Sequence, residues 1–197
     1  MPDDPQRDVP VSKCKRVAHA GKISGMNDIA MAKAQLREEI LFQRKRQQVS
    51  ANARLELSQN ILMLVERLTP NRVAIYSSYP SEPDTSMAIE ALVTKSIPVL
   101  VPQTHSDGSL SWHELSSHVQ VSLQNDDLLL IPALAVDLGG NRLGRGKGYF
   151  DRELEKVLTK KVYAVVFESE ILTKVPVESH DRRVSGVVTE AGIRDLN

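Results

Sequence analysis

The stretch Pro132-Ala-Leu-Ala-Val-Asp-Leu-Gly-Gly-Asn-Arg-Leu-Gly-Arg-Gly-Lys-Gly-Tyr-Phe-Asp-Arg152 decides the fold of this chain. It continues an apolar run from Leu128 to Val136, which is typical of a buried strand, and the run breaks at Asp137. Three glycines then alternate with two basic residues: Gly144, Arg145, Gly146, Lys147 and Gly148. From Tyr149 onward the apolar residues recur with a helical period, so the stretch predicts a strand, a glycine-rich basic loop and a helix.

This order of elements favours a binding site for an anion such as phosphate. Glycines let backbone N–H groups approach a phosphate and adopt positive φ, and a helix start adds a partial charge of roughly +0.5. Arg142, Arg145 and Lys147 add full positive charges. The alternative is a solvated basic turn in which the glycines only make the bend. Three alternating glycines cost more chain entropy than a bend requires, which favours the anion site.

The loop does not match the common nucleotide-binding patterns. A Walker A loop requires Ser or Thr after its Gly-Lys pair, and Gly148 stands there. The dinucleotide pattern G-x-G-x-x-G requires a glycine where Tyr149 stands, and an RNA-binding RNP1 strand fails at Phe150. The sequence therefore predicts a phosphate loop of another kind.

These residues resemble the signature of the 5-formyltetrahydrofolate cyclo-ligase family, also called methenyltetrahydrofolate synthetases. The resemblance rests on Pro132-Ala-Leu-Ala-Val-Asp137 and on Arg142-Leu-Gly-Arg-Gly-Lys-Gly-Tyr-Phe-Asp-Arg152, and it extends over residues 31–191. Further matching motifs follow in the family's order: Lys33-x-x-x-Arg37, Pro80-Ser-Glu-Pro-Asp-Thr85, His180-Asp181 and Val188-Thr-Glu190.

The resemblance implies an ATP-dependent ligase that cyclises 5-formyltetrahydrofolate to 5,10-methenyltetrahydrofolate and releases ADP and phosphate. The implied partners are the folate and ATP, which is a co-substrate, and the implied cofactor is Mg²⁺. The alternative is a divergent, non-catalytic relative that uses the same loop to bind a nucleotide or phosphate. Two carboxylates suited to Mg²⁺ favour the enzyme, because a phosphate sensor needs only hydrogen-bond donors.

The resemblance also implies a role for each matching residue. The expected catalytic residues are Arg145, Lys147 and Tyr149. The expected ATP contacts are Lys33, Arg37, Arg142, Leu143, Gly144, Arg145, Gly146, Lys147, Gly148, Tyr149 and Phe150. The expected folate contacts are Glu82, Arg145, Gly146, Lys147, Gly148 and Tyr149, and the expected metal ligands are Asp151 and Asp181.

Several of these residues also have ordinary structural interpretations. Lys33 and Arg37 border the apolar stripe of the first predicted helix, where they either reach into a cleft or lie in a solvated, mixed-charge surface. Glu82 follows the predicted strand 72–76, where open α/β sheets bind ligands, or it is a solvated turn carboxylate.

The two predicted metal ligands have ordinary interpretations as well. Asp151 is also placed to favour the dipole at the start of a helix. Asp181 could pair with Arg182 or Arg183 at the surface. Trp112, the only tryptophan, is expected in the core or in a hairpin in preference to stacking on a ligand.

Composition narrows the class of protein. The chain has 197 residues with 25 Lys+Arg against 25 Asp+Glu, which leaves a net charge of zero and argues against general nucleic-acid binding. No apolar run approaches the ~20 residues that a membrane helix needs. The single cysteine, Cys14, has no internal disulfide partner. We therefore expect a cytoplasmic, monomeric protein that binds neither nucleic acid nor membrane.

Predicted strands alternate with predicted helices along the chain. This pattern predicts an α/β protein: a single domain over residues 29–197, with a mostly parallel central sheet flanked by helices on both faces. Residues 1–28 are predicted to be a disordered leader, because Pro2, Pro5 and Pro10 stand among scattered charges without an apolar period.

Overall fold

The structure, a computed structural model, describes residues 26–156 and 159–196. Within these ranges the α-helices are α1 (Met26–Arg46), α2 (Ala51–Leu68), α3 (Ser86–Thr94) and α4 (Tyr149–Leu154). The strands are β1 (Val73–Ile75), β2 (Val99–Thr104), β3 (Leu110–Glu114), β4 (Gln120–Val121), β5 (Leu128–Pro132), β6 (Ala135–Asp137), β7 (Arg142–Leu143), β8 (Val162–Val165), β9 (Ile171–Leu172), β10 (Gly186–Thr189) and β11 (Gly192–Asp195).

The main sheet confirms the predicted fold class. Its strand order is β11-β10-β8-β5-β1-β2-β3-β4, and the central strands β10, β8, β5, β1 and β2 run parallel. Antiparallel pairs close both edges. From β1 the chain passes through α3 to β2 on one side, whereas β5 lies on the other side of β1. The strand order therefore reverses between β1 and β5, where open α/β sheets bind ligands at the carboxyl ends of the strands.

Both faces of the sheet are covered, as the apolar central strands require. On one face α2 and α3 pack through the buried side chains Leu57, Ile61, Leu64, Ala88 and Leu92. On the other face Ala74, Leu129 and Ile131 pack beneath Val136, with Tyr149 and Phe150 of α4 against the same cluster. Each large aliphatic side chain that is buried adds about 1.5–3 kcal/mol to the free energy of unfolding, so these two layers stabilise the sheet.

A small second sheet carries the glycine-rich loop. Its strand order is β7-β6-β9, with β6 antiparallel to β7 and parallel to β9. The helix α1 packs on it, where Ile40 contacts a buried cluster with Leu134, Leu143 and Val175. This packing sets α1 beside the loop that leaves β7.

The sequence places a helix start at Asn27 or Asp28, whereas α1 begins at Met26. Both residues therefore lie in the first turn, where the charge of Asp28 complements the positive end of the helix dipole. The rest of the predicted leader lies outside the described residues. No helix in the described ranges combines the length and apolarity of a bilayer-spanning segment.

The strands β2 and β11 are among those that differ from the sequence-based prediction. The sequence predicts a strand that ends at Pro102, but β2 runs through it and pairs Pro102 with Trp112 of β3. Proline is tolerated there because the pairing with β1 reaches only Leu100, which leaves one neighbouring strand. The edge strand β11 was not predicted at all, because its short Gly-Ile-Arg-Asp sequence carries no alternating apolar pattern.

Asp137, the last residue of β6, holds the base of the loop together. Its carboxylate accepts hydrogen bonds from the backbone N–H groups of Gly139 and Asn141, each at 3.0 Å, and from the Asn141 side chain at 2.9 Å. It also accepts the Val175 N–H at 3.0 Å, which ties the turn to the segment after β9. Burial disfavours the charged carboxylate, but these hydrogen bonds outweigh burial and hold the pKa of Asp137 below its ordinary value.

We expect the substitution Asp137→Asn to lower the stability of the fold. A side-chain amide has one acceptor oxygen, and its NH₂ group would face backbone N–H donors. The loss of charge-assisted hydrogen bonds should cost about 2 kcal/mol, which lowers Tm by roughly 4–8 °C in thermal unfolding near neutral pH.

The pH dependence of the Tm difference between the wild type and Asp137→Asn tests whether the charge of Asp137 causes it. A depressed pKa contributes stability above the pKa of the unfolded chain, about 3.9, and that stability is lost as the pH falls through the folded value. The Tm gap between the wild type and the variant should therefore be constant above about pH 5 and shrink below pH 4. Asp126→Asn, at an exposed position, is the matched control. A gap that did not change with pH would contradict the role of the Asp137 charge.

Candidate active site

The loop between β7 and α4 requires glycine at two of its three alternating positions. Gly146 has a φ of 95° and Gly148 a φ of 68°, both in the left-handed region that favours glycine. A Cβ atom at Gly148 would also lie 2.8 Å from the Arg152 side chain. Gly144 does not have a positive φ, so conformational freedom explains only two of the three glycines.

Helix α1 reaches the loop through residues one turn apart. Arg37 donates a hydrogen bond from Nε to the Gly144 carbonyl oxygen at 2.9 Å. Lys33, about 6 Å earlier along the helix axis, is buried and donates to Glu178 at 2.7 Å and to Asp181 at 2.5 Å. The interpretation of these two residues as a solvated, mixed-charge surface is therefore wrong.

Arg142 and Asp151 form an ion pair at opposite ends of the loop. The Arg142 side chain is buried, and Arg142 Nη2 donates to Asp151 Oδ1. Within the described residues, Arg142 Nε is buried without a hydrogen-bond partner. Asp151 therefore does more than complement a helix dipole, because it balances a charge that is out of reach of water.

Glu82 lies under the loop and faces Arg145. Its side chain is only 4% exposed, and its Oε1 accepts a hydrogen bond from Arg145 Nε at 2.8 Å. Its Oε2 accepts the backbone N–H of Tyr79 at 3.0 Å. The interpretation of Glu82 as a solvated turn carboxylate is therefore wrong.

Two buried hydroxyl groups fix the turn that carries Glu82. Tyr76 donates to the Pro83 carbonyl oxygen at 2.8 Å, and Thr85 donates to the Tyr76 carbonyl oxygen at 2.8 Å. Burial, followed by the nearby Glu82 charge, raises the pKa of the Tyr76 phenol well above its ordinary value, so Tyr76 stays a neutral donor. Hydrogen bonds among residues 76–85 thus hold the Glu82 side chain in position.

A cavity of about 720 Å³ opens where the strand order reverses, and its wall joins the loop to the Glu82 turn. It collects residues after β1, after β5, from the β2–β3 pair and from the loop: Tyr76, Ser77, Ser78, Tyr79, Glu82, Pro102, Thr104, Leu110, Pro132, Ala133, Arg142, Gly144, Arg145, Gly146, Lys147, Gly148, Tyr149, Phe150 and Asp151. The sequence analysis predicted Glu82 but not the residues that come directly after β1 and β5, which are 76–79 and Ala133. The signal that could have found them was their position just beyond buried strands.

Lys147 differs from the other basic residues of the loop. It is exposed and lines the cavity, and within the described ranges it has no salt bridge or side-chain hydrogen bond. Its Nζ lies 6.0 Å from the centroid of the Tyr149 ring, and Arg152 lies on the same ring at 5.6 Å. The three predicted catalytic residues, Arg145, Lys147 and Tyr149, therefore line one cavity.

Asp181 pairs with Lys33, not with the arginines that follow it in the sequence. Burial opposes the charge on this carboxylate, but the Glu178 N–H and Lys33 outweigh burial and hold the pKa of Asp181 below its ordinary value. Ligand atoms of Glu178, His180 and Asp181 lie within 4.8 Å of one another. Glu178 was not among the predicted site residues; its signal was an acidic side chain three positions before Asp181.

The Phe150 ring lies between the cavity and the core. Trp112 meets it edge-on with centroids 6.4 Å apart, and Trp112 Nε1 donates to Glu153 at 3.2 Å. Trp112 is 2% exposed, which confirms its predicted place in the core. Phe150 thus gives the cavity an apolar wall.

The sequence of this chain is similar to those of known 5-formyltetrahydrofolate cyclo-ligases. Residues 114–190 match the profile of the 5-formyltetrahydrofolate cyclo-ligase family. The chain is 30% identical over 146 residues to the 5-formyltetrahydrofolate cyclo-ligase of Mycolicibacterium smegmatis, over 62% of this chain and 75% of that protein. It is 28% identical over 192 residues to the mouse (Mus musculus) 5-formyltetrahydrofolate cyclo-ligase, over 81% of this chain and 94% of that protein.

Solved structures agree with this similarity. A 5,10-methenyltetrahydrofolate synthetase from Aquifex aeolicus superposes with a TM-score of 0.67 at 25% identity, over 85% of this chain and 94% of that one. A 5,10-methenyltetrahydrofolate synthetase from Mycoplasma pneumoniae has the same fold, with a TM-score of 0.69 at 21% identity over 80% of this chain and 98% of that one. The loop, the fold and these relatives together establish that the chain belongs to the 5-formyltetrahydrofolate cyclo-ligase family.

Proposed function

We propose that this protein catalyses the ATP-dependent cyclisation of 5-formyltetrahydrofolate to 5,10-methenyltetrahydrofolate, with release of ADP and phosphate. The observation that carries this proposal is the cavity of about 720 Å³ in which a basic glycine-rich loop faces a buried carboxylate, Glu82. Relatives at about 30% identity named 5-formyltetrahydrofolate cyclo-ligase support the same reaction. We also propose that the protein is a cytoplasmic monomer.

The reaction has to remove an oxygen that is a poor leaving group. The formyl oxygen attacks the γ-phosphorus of ATP, ADP leaves, and the formyl carbon becomes part of a phosphorylated iminium. The second ring-forming nitrogen, N10, then attacks that carbon, closes the ring and releases its proton. Phosphate departs with the former formyl oxygen, and the 5,10-methenyl bridge remains. The protein's contribution is mainly to position the two substrates and to balance charge.

The loop supplies the donors that a triphosphate needs. Arg145 and Lys147 lie beside the backbone N–H groups of Gly146 and Gly148, and all four line the cavity. Arg37 supports the loop from behind through the Gly144 carbonyl oxygen. In this assignment Arg145 and Lys147 contact phosphate oxygens. Tyr149 lines the cavity, and its ring, 6.0 Å from Lys147 Nζ, orients Lys147.

Asp151, at the end of the loop, and Asp181, beside Lys33, offer the hard oxygen ligands that Mg²⁺ prefers, and Mg²⁺ shares its coordination sphere with phosphates. Asp151 uses Oδ1 for Arg142, and Asp181 uses Oδ2 for Lys33, which leaves one oxygen of each carboxylate for a metal. Asp151 and Asp181 would hold the ion, which neutralises phosphate charge when bound. Arg142 and Lys33 orient the two carboxylates through these contacts.

Glu82 is placed to bind the pterin. A buried carboxylate accepts hydrogen bonds from ring N–H and amino groups, and the aromatic ring system would lie against apolar walls such as Leu110, Pro132 and Phe150. Arg145 connects this carboxylate to the phosphate loop, because it donates to Glu82 from the loop itself. The formyl group of a folate held there would face the γ-phosphate.

The proposed reaction is tested by following absorbance in the band of the methenyl product. The purified protein is mixed with 5-formyltetrahydrofolate, ATP and Mg²⁺, and each component is omitted in turn. We expect product only in the complete mixture, together with stoichiometric ADP. Nucleotide binding without methenyl product would instead identify a non-catalytic relative and contradict the proposal.

We expect Lys147→Ala to impair the use of ATP without unfolding the protein. Within the described residues the side chain has no salt bridge or hydrogen bond and only a contact with the Tyr149 ring, so its removal leaves no buried charge unpaired. Loss of a charge-assisted contact of about 2–3 kcal/mol corresponds to roughly 30- to 150-fold in kcat/KM for ATP. Lys160→Ala is the control, because this exposed lysine precedes β8 at the amino end of the parallel strands, away from the cavity at their carboxyl ends. A variant with unchanged kinetics for ATP would rule out the phosphate contact.

We expect Glu82→Gln to raise the KM for the folate by roughly 10- to 100-fold, because it keeps the shape of the side chain but removes its charge. The KM for ATP should change much less, since Arg145 keeps its own charge. The two KM values and the thermal midpoint are measured for this variant and for the exposed control Glu66→Gln. Equal increases for both substrates would mean that Glu82 supports the loop and does not bind the pterin.

A further inference from the structure

Arg152 follows the glycine-rich loop and has no role in the proposed function. It lies in α4, is exposed, and in the described part of the chain has no carboxylate within 4.0 Å. Its Nη2 donates hydrogen bonds to the Lys147 carbonyl oxygen at 3.0 Å and to the Gly108 carbonyl oxygen at 2.6 Å. Its Cζ lies 5.6 Å from the centroid of the Tyr149 ring. The side chain thus connects the loop to the turn between β2 and β3.

The hydrogen bond to Lys147 fixes the orientation of one peptide unit of the loop. The described residues contain no cis peptide, and the C=O and N–H of a planar trans unit point in opposite directions. The Lys147 carbonyl faces Arg152, whose side chain does not line the cavity of the candidate active site. The N–H of Gly148 therefore points to the opposite side, where Gly148 lines the cavity. An anion in the cavity then meets a donor at this position and not a carbonyl oxygen.

Glycine makes this orientation easy to lose. Reversal of the peptide unit changes ψ of Lys147 and φ of Gly148, and glycine adopts positive and negative φ about equally well. Gly148 is also required for the contact itself, because a Cβ atom there would lie 2.8 Å from Arg152 Nη1. The loop therefore needs glycine so that Arg152 can approach, and it needs Arg152 because glycine lets the peptide unit reverse.

The other end of the loop has the same arrangement. Arg37 donates to the Gly144 carbonyl oxygen at 2.9 Å, and a Cβ atom at Gly146 would lie 3.4 Å from the Arg37 guanidinium. By the same geometry the N–H of Arg145 points away from Arg37, toward the cavity. Two arginines whose side chains lie outside the cavity thus hold one carbonyl each at the two ends of the loop.

The turn between β2 and β3 holds Arg152 in place. Asp107 Oδ1 accepts the Ser109 N–H at 2.8 Å and the Ser109 hydroxyl at 2.7 Å, which orders the turn around Gly108. The residue after Arg152, Glu153, accepts a hydrogen bond from Trp112 Nε1 of β3 at 3.2 Å. The contact between α4 and β3 therefore persists when the Arg152 side chain is removed.

We propose that Arg152 is a positioning residue for ATP, which holds the Lys147 carbonyl oxygen out of the cavity so that the Gly148 N–H donates to a phosphate group. This inference rests on the proposed function, in which the loop binds the triphosphate. Arg152 does not contact the nucleotide itself and acts through the peptide unit between residues 147 and 148.

The first test compares Arg152→Ala with the wild type and with Arg46→Ala, a control that removes another exposed arginine beside an aromatic ring, Phe42, outside the cavity. Calorimetry without turnover gives the Kd of Mg-ATP and, separately, of 5-formyltetrahydrofolate. Loss of Arg152 changes the ratio of two peptide orientations by the contribution of one hydrogen bond, so we expect the Kd of Mg-ATP to rise about three- to tenfold. The Kd of the folate and the control should not change.

A salt series separates this role from the charge of Arg152, since loss of a cation also weakens the general attraction of the loop for ATP. That attraction is screened by salt, because the Debye length falls from about 10 Å at 0.1 M to about 3 Å at 1 M. The ratio of the two Kd values, variant to wild type, should persist at 1 M salt. A ratio that falls to one would assign the effect to charge and overturn the positioning role, and so would equal increases for ATP and the folate.

The amide resonance of Gly148 reports the peptide orientation directly. In the isotopically labelled wild type we expect its proton to move downfield as Mg-ATP is added. In Arg152→Ala this shift should be smaller, whereas the shift of the Arg145 amide, held by Arg37, should be kept. A Gly148 amide that did not respond in the wild type would overturn the inference.

These measurements are independent of turnover, so failure of the inference and failure of the proposed function are distinguishable. A wild type that shows the expected amide shifts and Kd values but forms no methenyl product refutes the activity and supports the role of Arg152. Methenyl product from a wild type whose Kd for Mg-ATP equals that of Arg152→Ala supports the activity and refutes the role of Arg152.

Discussion

The site depends on charge balance between three cations and four carboxylates. Arg142 and Arg145 of the loop and Lys33 of α1 would repel one another without counter-charges, and the repulsion grows as water is excluded. Arg142 pairs with Asp151, Arg145 pairs with Glu82, and Lys33 pairs with both Glu178 and Asp181. Removing a single partner would leave a charge that is partly or wholly buried, so the cations and carboxylates stabilise the site only as a set.

The fold supplies this set from distant parts of the chain. The strand order reverses between β1 and β5. At the carboxyl ends of these strands, this reversal brings together the Glu82 turn and the segment that leads into the loop. Helix α1 closes the arrangement, because Lys33 and Arg37 reach the Asp181 segment and the loop from one face. A second cavity, of about 580 Å³, lies beside the C-terminal end of the same helix and shares Ser78, Tyr79 and Glu82 with the first.

The sequence was sufficient to predict those features of the fold that depend on residue patterns within short segments. Alternating apolar strands and helices predicted the sheet, and the glycines predicted the left-handed turns at Gly146 and Gly148. The partners of Lys33 could not be predicted, because Glu178 and Asp181 lie 145 and 148 residues away and no local pattern relates them. The second cavity escaped prediction for the same reason, since three separate elements contribute its walls.

Charge balance also explains why Arg145 and Lys147 differ although they are two residues apart. Arg145 donates through Nε to Glu82, and a guanidinium has four further N–H donors on its two Nη atoms. Under the proposed function those donors face phosphate oxygens, so one side chain lies between the pterin-binding carboxylate and the triphosphate. Lys147 lacks a carboxylate partner in the described structure, so under the same proposal its charge acts on the phosphate alone. In that assignment Arg145 couples the positions of the two substrates, whereas Lys147 contacts only one of them.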